Sequence, residues 1–136
     1  MDDRGYLQFP DLTLPFHLDL RSPVARSLAQ HFPILSTANQ LGGEIYFRAP
    51  GAEIPYDGTE TREFQKGDVA YWRSPTGEKL FSIAVFYDRT PFGEGPAPMA
   101  SSPCIRIGRL TADPATLARL NTITTGEPVR LGWEIP

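Results

Sequence analysis

Apolar and polar positions alternate along residues 14–20, with Leu14, Phe16, Leu18 and Leu20 separated by Pro15, His17 and Asp19. A period of two marks a strand with one buried face. The run Tyr6-Leu7-Gln8-Phe9 ahead of it, closed by Pro10-Asp11, predicts a second short strand. The period then changes. Ser22-Pro23 places an N-cap residue before a proline at the first helical position, where the missing amide has no partner to lose. Val24, Leu28 and Phe32 follow at helical spacing and predict one buried stripe, with Arg26 and Gln30 outward and Pro33 ending the helix.

Alternation returns after the Gly42-Gly43 turn. Ile45 and Phe47 fall on one face of a predicted strand over residues 44–48, and Glu44, Tyr46 and Arg48 on the other, before Pro50-Gly51 breaks it. Residues 51–66 are polar and turn-rich and predict a long loop or loose hairpin. Val69 to Trp72 predicts a strand, and Ser74-Pro75-Thr76-Gly77 turns it into another over Lys79 to Tyr87. There Phe81, Ile83, Val85 and Tyr87 oppose Leu80, Ser82, Ala84 and Phe86, so both faces carry bulk, as in a central strand covered on each side. A second long loop is predicted over 90–102 and a strand over Ile105 to Leu110. Asp113-Pro114 repeats the cap-and-proline device and opens a short helix with Leu117 and Leu120 inward. Gly126-Glu127-Pro128 then turns into a last strand, Val129 to Ile135. Seven or eight strands and two helices result, a number able to close a small barrel whose interior side chains fill.

Composition narrows the picture. A chain of 136 residues is one domain of ordinary size. Its fourteen prolines are close to twice the usual ~5% and are scattered, which disfavours a helical bundle and favours short strands joined by turns. The net charge of −3, with no basic stripe, argues against a nucleic-acid partner. The one cysteine, Cys104, excludes an internal disulfide and a multi-cysteine zinc site. Met1-Asp2-Asp3-Arg4 leads into no long apolar segment, so no secretory signal and no membrane partner are expected, and the expected location is the cytoplasm.

Gly43-Glu44-Ile45-Tyr46-Phe47 with Pro50, Gly67-Asp68-Val69-Ala70-Tyr71-Trp72, Thr90-Pro91 and Ile107-Gly108-Arg109-Leu110 stand in an order and spacing that resembles the small bacterial cyclophilin-like family, an atypical branch of the peptidyl-prolyl isomerase fold. The resemblance covers most of the chain, from the Ser22 helix to the last strand. It implies a mainly β fold, a closed antiparallel eight-stranded barrel with two short capping helices. It also implies a groove on the outer face, where cyclophilins hold proline peptides beside an arginine. Arg48 is similar in setting to that arginine, although a shift of one residue would put Phe47 in its place and turn Arg48 to the other face. The glutamine-glycine-glycine hairpin of cyclophilins does not follow Pro50, and no histidine follows His31. The resemblance therefore implies the architecture without isomerase chemistry.

The candidate ligand-binding residues are Arg48, Tyr46, Glu44, Tyr71, Arg73, Phe86 and Phe92. Arg48 offers a planar fork of donors to a carbonyl or carboxylate. The plainer reading of Glu44, Tyr46 and Arg48 is a solvated strand face with a cross-strand ion pair. Of Tyr71 and Trp72, one ring belongs in the core, and Arg73 stacks on the other in the plainer reading, or stands as a cation beside an aromatic wall in the functional one. Phe81 and Phe86 lie on opposite faces, so at most one of them lines a groove, and Phe92 is a rim candidate in the second loop. Asp57, Glu60, Glu63 and Asp68 could do acid–base work or simply be solvated. Cys104 lacks a histidine nearby in sequence and reads as a buried thiol. No cofactor is expected, and no metal, since His17 and His31 have no ligand partner at metal spacing. These observations lead to a domain binding a small polar ligand or peptide, with a homo-oligomer compatible. A small enzyme using Arg48 with a loop carboxylate is the alternative, and weak prolyl isomerisation comes last. No catalytic residue is assigned.

Overall fold

Proline and glycine divide this chain into short extended segments, and those segments pair antiparallel into one sheet. A computed structural model of the protein describes residues 3–133. The strands are β1 (Arg4–Phe9), β2 (Leu12–Leu18), β3 (Ile34–Thr37), β4 (Asn39–Leu41), β5 (Glu44–Arg48), β6 (Thr61–Glu63), β7 (Asp68–Arg73), β8 (Phe81–Phe86), β9 (Met99–Leu110) and β10 (Pro128–Gly132). Two helices, α1 (Pro23–Ala29) and α2 (Pro114–Ala118), interrupt them, and α2 runs on into a 3-10 turn, Arg119–Thr122.

Both helices start as the cap-and-proline pattern predicts. The Ser22 hydroxyl accepts from the Ala25 amide at 3.1 Å, and the Asp113 carboxylate accepts from the Thr116 amide at 2.7 Å. Helix α1 buries Val24, Ala25 and Leu28 against the sheet, and ends before Phe32, which packs beyond it on Phe16 and Trp133. Leu120 is buried in the 3-10 turn, and Leu117 is half-buried. The expected last strand reaches Gly132; residues 134 and 135, assigned to it from sequence, lie outside the described residues.

The expectation of a closed eight-stranded barrel does not hold. Among the described residues the sheet has ten strands, and its hydrogen-bonded order is β3-β10-β1-β2-β9-β7-β8-β5-β4, with β6 branching from β9. It therefore ends at β3 on one side and at β4 on the other, with no ladder joining them among those residues. The physical reason lies in the polar groups at that seam. Ala38, which alone separates β3 from β4, bonds through its amide to the Glu127 carbonyl and through its carbonyl to the Gly126 amide, so it continues the β3–β10 pairing rather than turning to β4. The Gln40 amide goes to the Thr125 hydroxyl, and its side-chain amide goes to the Leu120 and Ile123 carbonyls. Segment 120–127 thus satisfies donors that a sealing strand would otherwise take.

One face of the sheet carries the main core. Leu7, Leu14, Phe16, Ile45, Phe47, Tyr71, Ile83, Ile105, Ile107 and Leu131 meet there and are essentially sealed from solvent. The opposite, outer face is usually the wet side of an antiparallel sheet. Here it holds a second, smaller cluster of Phe64, Ala70, Ala84, Phe86, Ala100 and Cys104. Strand β9 creates it. Its C-terminal half pairs with β7 and β2, while its N-terminal half pairs with β6 and folds as a ribbon over the outer face. All six residues of β8 are consequently buried, in accord with the bulk on both its faces.

Candidate functional site

The outer face of β5 begins the site. Alternation turns Glu44, Tyr46 and Arg48 away from the core that takes Ile45 and Phe47. Antiparallel pairing then sets Arg48 opposite Ser82 and Ser82 opposite Trp72, one rung across three strands. Two residues along, Tyr46 faces Ala84 and Ala84 faces Ala70. Small side chains at Ser82 and Ala84 leave a trough between Tyr46 and Trp72. The ribbon closes it from above with Ala100, Ser101 and Cys104, giving a cleft of about 240 Å³.

Its polar groups are fixed in part. The Arg48 guanidinium donates to the Ser82 hydroxyl at 2.7 Å and lies over the Trp72 ring, 5.9 Å from its centroid. The Trp72 indole N–H donates to the Ser102 hydroxyl at 2.7 Å, which ties the ring to the ribbon. At the other end Glu44 is only 8% exposed. No hydrogen bond or ion pair reaches its carboxylate among the described residues, and burial pushes its pKa up to about 7. Cys104 borders the same end, where burial first and the Glu44 charge second push its thiol up to about 12. It is the buried, unreactive thiol read from the sequence.

The seven sequence candidates do not form one site. Glu44, Tyr46 and Arg48 line the cleft. Phe86 lies on the same face but beneath it, fully buried and stacked on Phe64 at 4.5 Å between ring centroids. Tyr71 faces the main core, so it is the inward ring of the Tyr71–Trp72 pair. Its hydroxyl donates to the Ala52 carbonyl at 2.6 Å and accepts from the Ile54 amide at 3.1 Å, holding the loop after β5 against the core. Arg73 belongs to a separate groove with Pro55, Tyr56 and Pro103. Its guanidinium donates to the Ile54 carbonyl at 3.1 Å, approaches Glu53 at 3.6 Å and lies 6.0 Å from the Phe81 centroid. The cation on Trp72 is therefore Arg48 from two strands away, not its chain neighbour. Phe92 is half-buried in the second loop and is not among the cleft's lining residues.

Sequence reasoning passed over Ser82, Ala84, Ser101 and Cys104 as lining residues. Ser82 and Ala84 left a trace, since they are the small positions on an otherwise bulky face of β8. The ribbon residues left none, because residues 99–102 read as loop.

A larger and more open groove runs between Phe64, Asp68, residues 95–99, Arg106 and Arg109. Size alone does not make it the better site. Its Arg106 is bound to Asp68 at 3.0 Å and also approaches Asp19 at 3.6 Å, so the pair is committed to the fold. The smaller cleft combines an aromatic wall with an acid and a cation that are not bound to each other, the combination expected of a binding site.

Fold and site together define a mainly β domain with a roofed cleft on the outer face of its sheet. The chain belongs to the cyclophilin-like family, whose model matches residues 6–131. Among solved structures it is similar to the solution structure of the hypothetical protein AF2241 from Archaeoglobus fulgidus. The two are 26% identical, with a TM-score of 0.73 over 98% of this chain and 95% of that one. No curated protein matches the chain.

Proposed function

We propose that this domain binds a small polar ligand or a short peptide in the outer-face cleft, without prolyl isomerase activity. The observation that carries this reading is the pair of uncompensated groups at the two ends of the outward row of β5. Glu44 is largely buried, with no hydrogen bond or ion pair to its carboxylate among the described residues, and Arg48 is positioned by Ser82 and Trp72 through one donor while its remaining N–H groups stay open. Burying a carboxyl group without a partner destabilises a fold. A site that uses the group supplies the reason for keeping it.

The enzymatic alternative needs a loop carboxylate beside Arg48. Asp57, Glu60, Glu63 and Asp68 border other grooves instead. Isomerisation is argued against by the missing glutamine-glycine-glycine hairpin after Pro50 and by the lack of any histidine after His31.

A thermal-shift screen against metabolites and short peptides tests the reading, because a ligand that binds only the folded state raises the melting temperature. Arg48 is exposed, so Arg48→Ala should change intrinsic stability by no more than about 0.5 kcal/mol. The same substitution should weaken the hit by about tenfold or more, the cost of about 1.4 kcal/mol for a charge-assisted hydrogen bond. A hit that stabilises Arg48→Ala as fully as the wild type sinks the assignment.

A further inference from the structure

The cleft specifies its ligand more closely than by polarity. Glu44 and Arg48 stand four residues apart on β5 and face the same side. At a strand rise of about 3.3 Å per residue their Cα atoms are roughly 13 Å apart. That separation is several times a single hydrogen bond of about 2.9 Å, so one compact charged group cannot serve both side chains and the ligand must be elongated. The space between them has Ala84 as its floor, with Tyr46 and Ala100 beside it, so the middle of that ligand meets mostly carbon.

We propose, resting on the cleft being the binding site, that it takes an elongated zwitterion, with a carboxylate on Arg48, an ammonium on Glu44 and an unbranched apolar chain between. The guanidinium fork fits a carboxylate through two parallel N–H bonds, and its contacts with Ser82 and Trp72 hold it at that end of the cleft. The ammonium supplies the counter-charge that the fold withholds from Glu44. A ligand bearing the anion alone leaves Glu44 buried and unpaired, and a lone cation fails to use Arg48. The class is set by both ends together.

The probes are ε-aminocaproate, caproate and n-hexylamine, titrated by calorimetry and followed through the amide resonances of β5 and β8. The expected result is that ε-aminocaproate binds at least tenfold more tightly than either single-charge analogue. Glu44→Gln should reduce its affinity to that of caproate, and Arg48→Ala to that of n-hexylamine. Equal binding of caproate and ε-aminocaproate overturns the zwitterion and leaves the cleft as the site of an anion. Failure of ε-aminocaproate alongside a screening hit that does shift the cleft resonances also overturns the class, with the site intact. If no compound shifts those resonances, the binding reading itself falls and this inference with it.

Discussion

Replacing Glu44 with glutamine is expected to stabilise the protein at neutral and alkaline pH while leaving it nearly unchanged in acid. The cause is desolvation: the folded state raises the Glu44 pKa from 4.5 to about 7. Below pH 4.5 the carboxyl is protonated in both states, and the group makes no pH-dependent contribution. From there to about pH 7 the unfolded chain releases its proton while the folded chain keeps it. The unfolded state then binds fewer protons, so stability falls as pH rises. Above about pH 7 both states are ionised and the loss is complete, at about 3 kcal/mol. This sign is opposite to that of Asp113, whose pKa is held down by its hydrogen bonds with Thr116 and which stabilises the fold as pH rises. Denaturant melts of wild type and Glu44→Gln at a series of pH values give the difference directly. It should grow from near zero in acid to its full size by about pH 8. A flat difference would mean that Glu44 is solvated or paired, and would remove the unpaired acid from the site.

Gly43→Ala is expected to be the most damaging single-methyl substitution near the cleft. A Cβ at this position would overlap the Asp88 carbonyl group and the Arg89 carbonyl oxygen, which are backbone atoms and cannot rotate away. The Gly43 carbonyl accepts from the Tyr87 amide at 2.9 Å and the Asp88 amide at 3.1 Å, so the two segments cannot part without losing those bonds. Overpacking of this kind costs about 3 kcal/mol, equivalent to a fall of about 10 °C in Tm for a domain of this size. Gly51→Ala is the control. It meets nothing within 4 Å, but its φ of +77 lies in the left-handed region, and the expected cost is about 1 kcal/mol. The clash account predicts a loss several times larger at Gly43 than at Gly51. Equal losses would contradict it. Because Gly43 adjoins Glu44, the damage should also reach the acidic end of the cleft.

Local patterning made much of the architecture readable, and the failures share one cause. The alternation over β2, β5 and β8 is visible because each strand buries one or both faces against a fixed partner. The helix starts are visible because a cap acts within four residues. Strands β3, β4 and β6 were not visible. They have three or four residues each, too few to show a period; β3 and β6 are extended by distant partners, β10 and β9, while β4 is a short hairpin arm on β5. The first half of β9 looks like loop in the sequence because Pro98 and Pro103 flank it and its partner β6 is too short to show a pattern. The open seam escaped because it depends on side-chain and turn bonds from segment 120–127. In the site, sequence placed Glu44, Tyr46 and Arg48 on one face. It could not supply the register that brings Arg48 to Ser82 and Trp72, nor show that Tyr71 rather than Trp72 turns inward. Strand pairing between distant segments fixes both facts.

Amide chemical-shift mapping decides whether ligands enter the trough on β5, β8 and β7. The first compound that raises the melting temperature is titrated into the labelled protein. The largest shifts are expected on Tyr46, Arg48, Ser82, Ala84 and Ser101, with the Trp72 indole N–H moving as well. Shifts gathered instead on residues 95–99 and Arg109, or on Pro55 to Tyr56 and Arg73, would place binding in another groove and contradict that expectation.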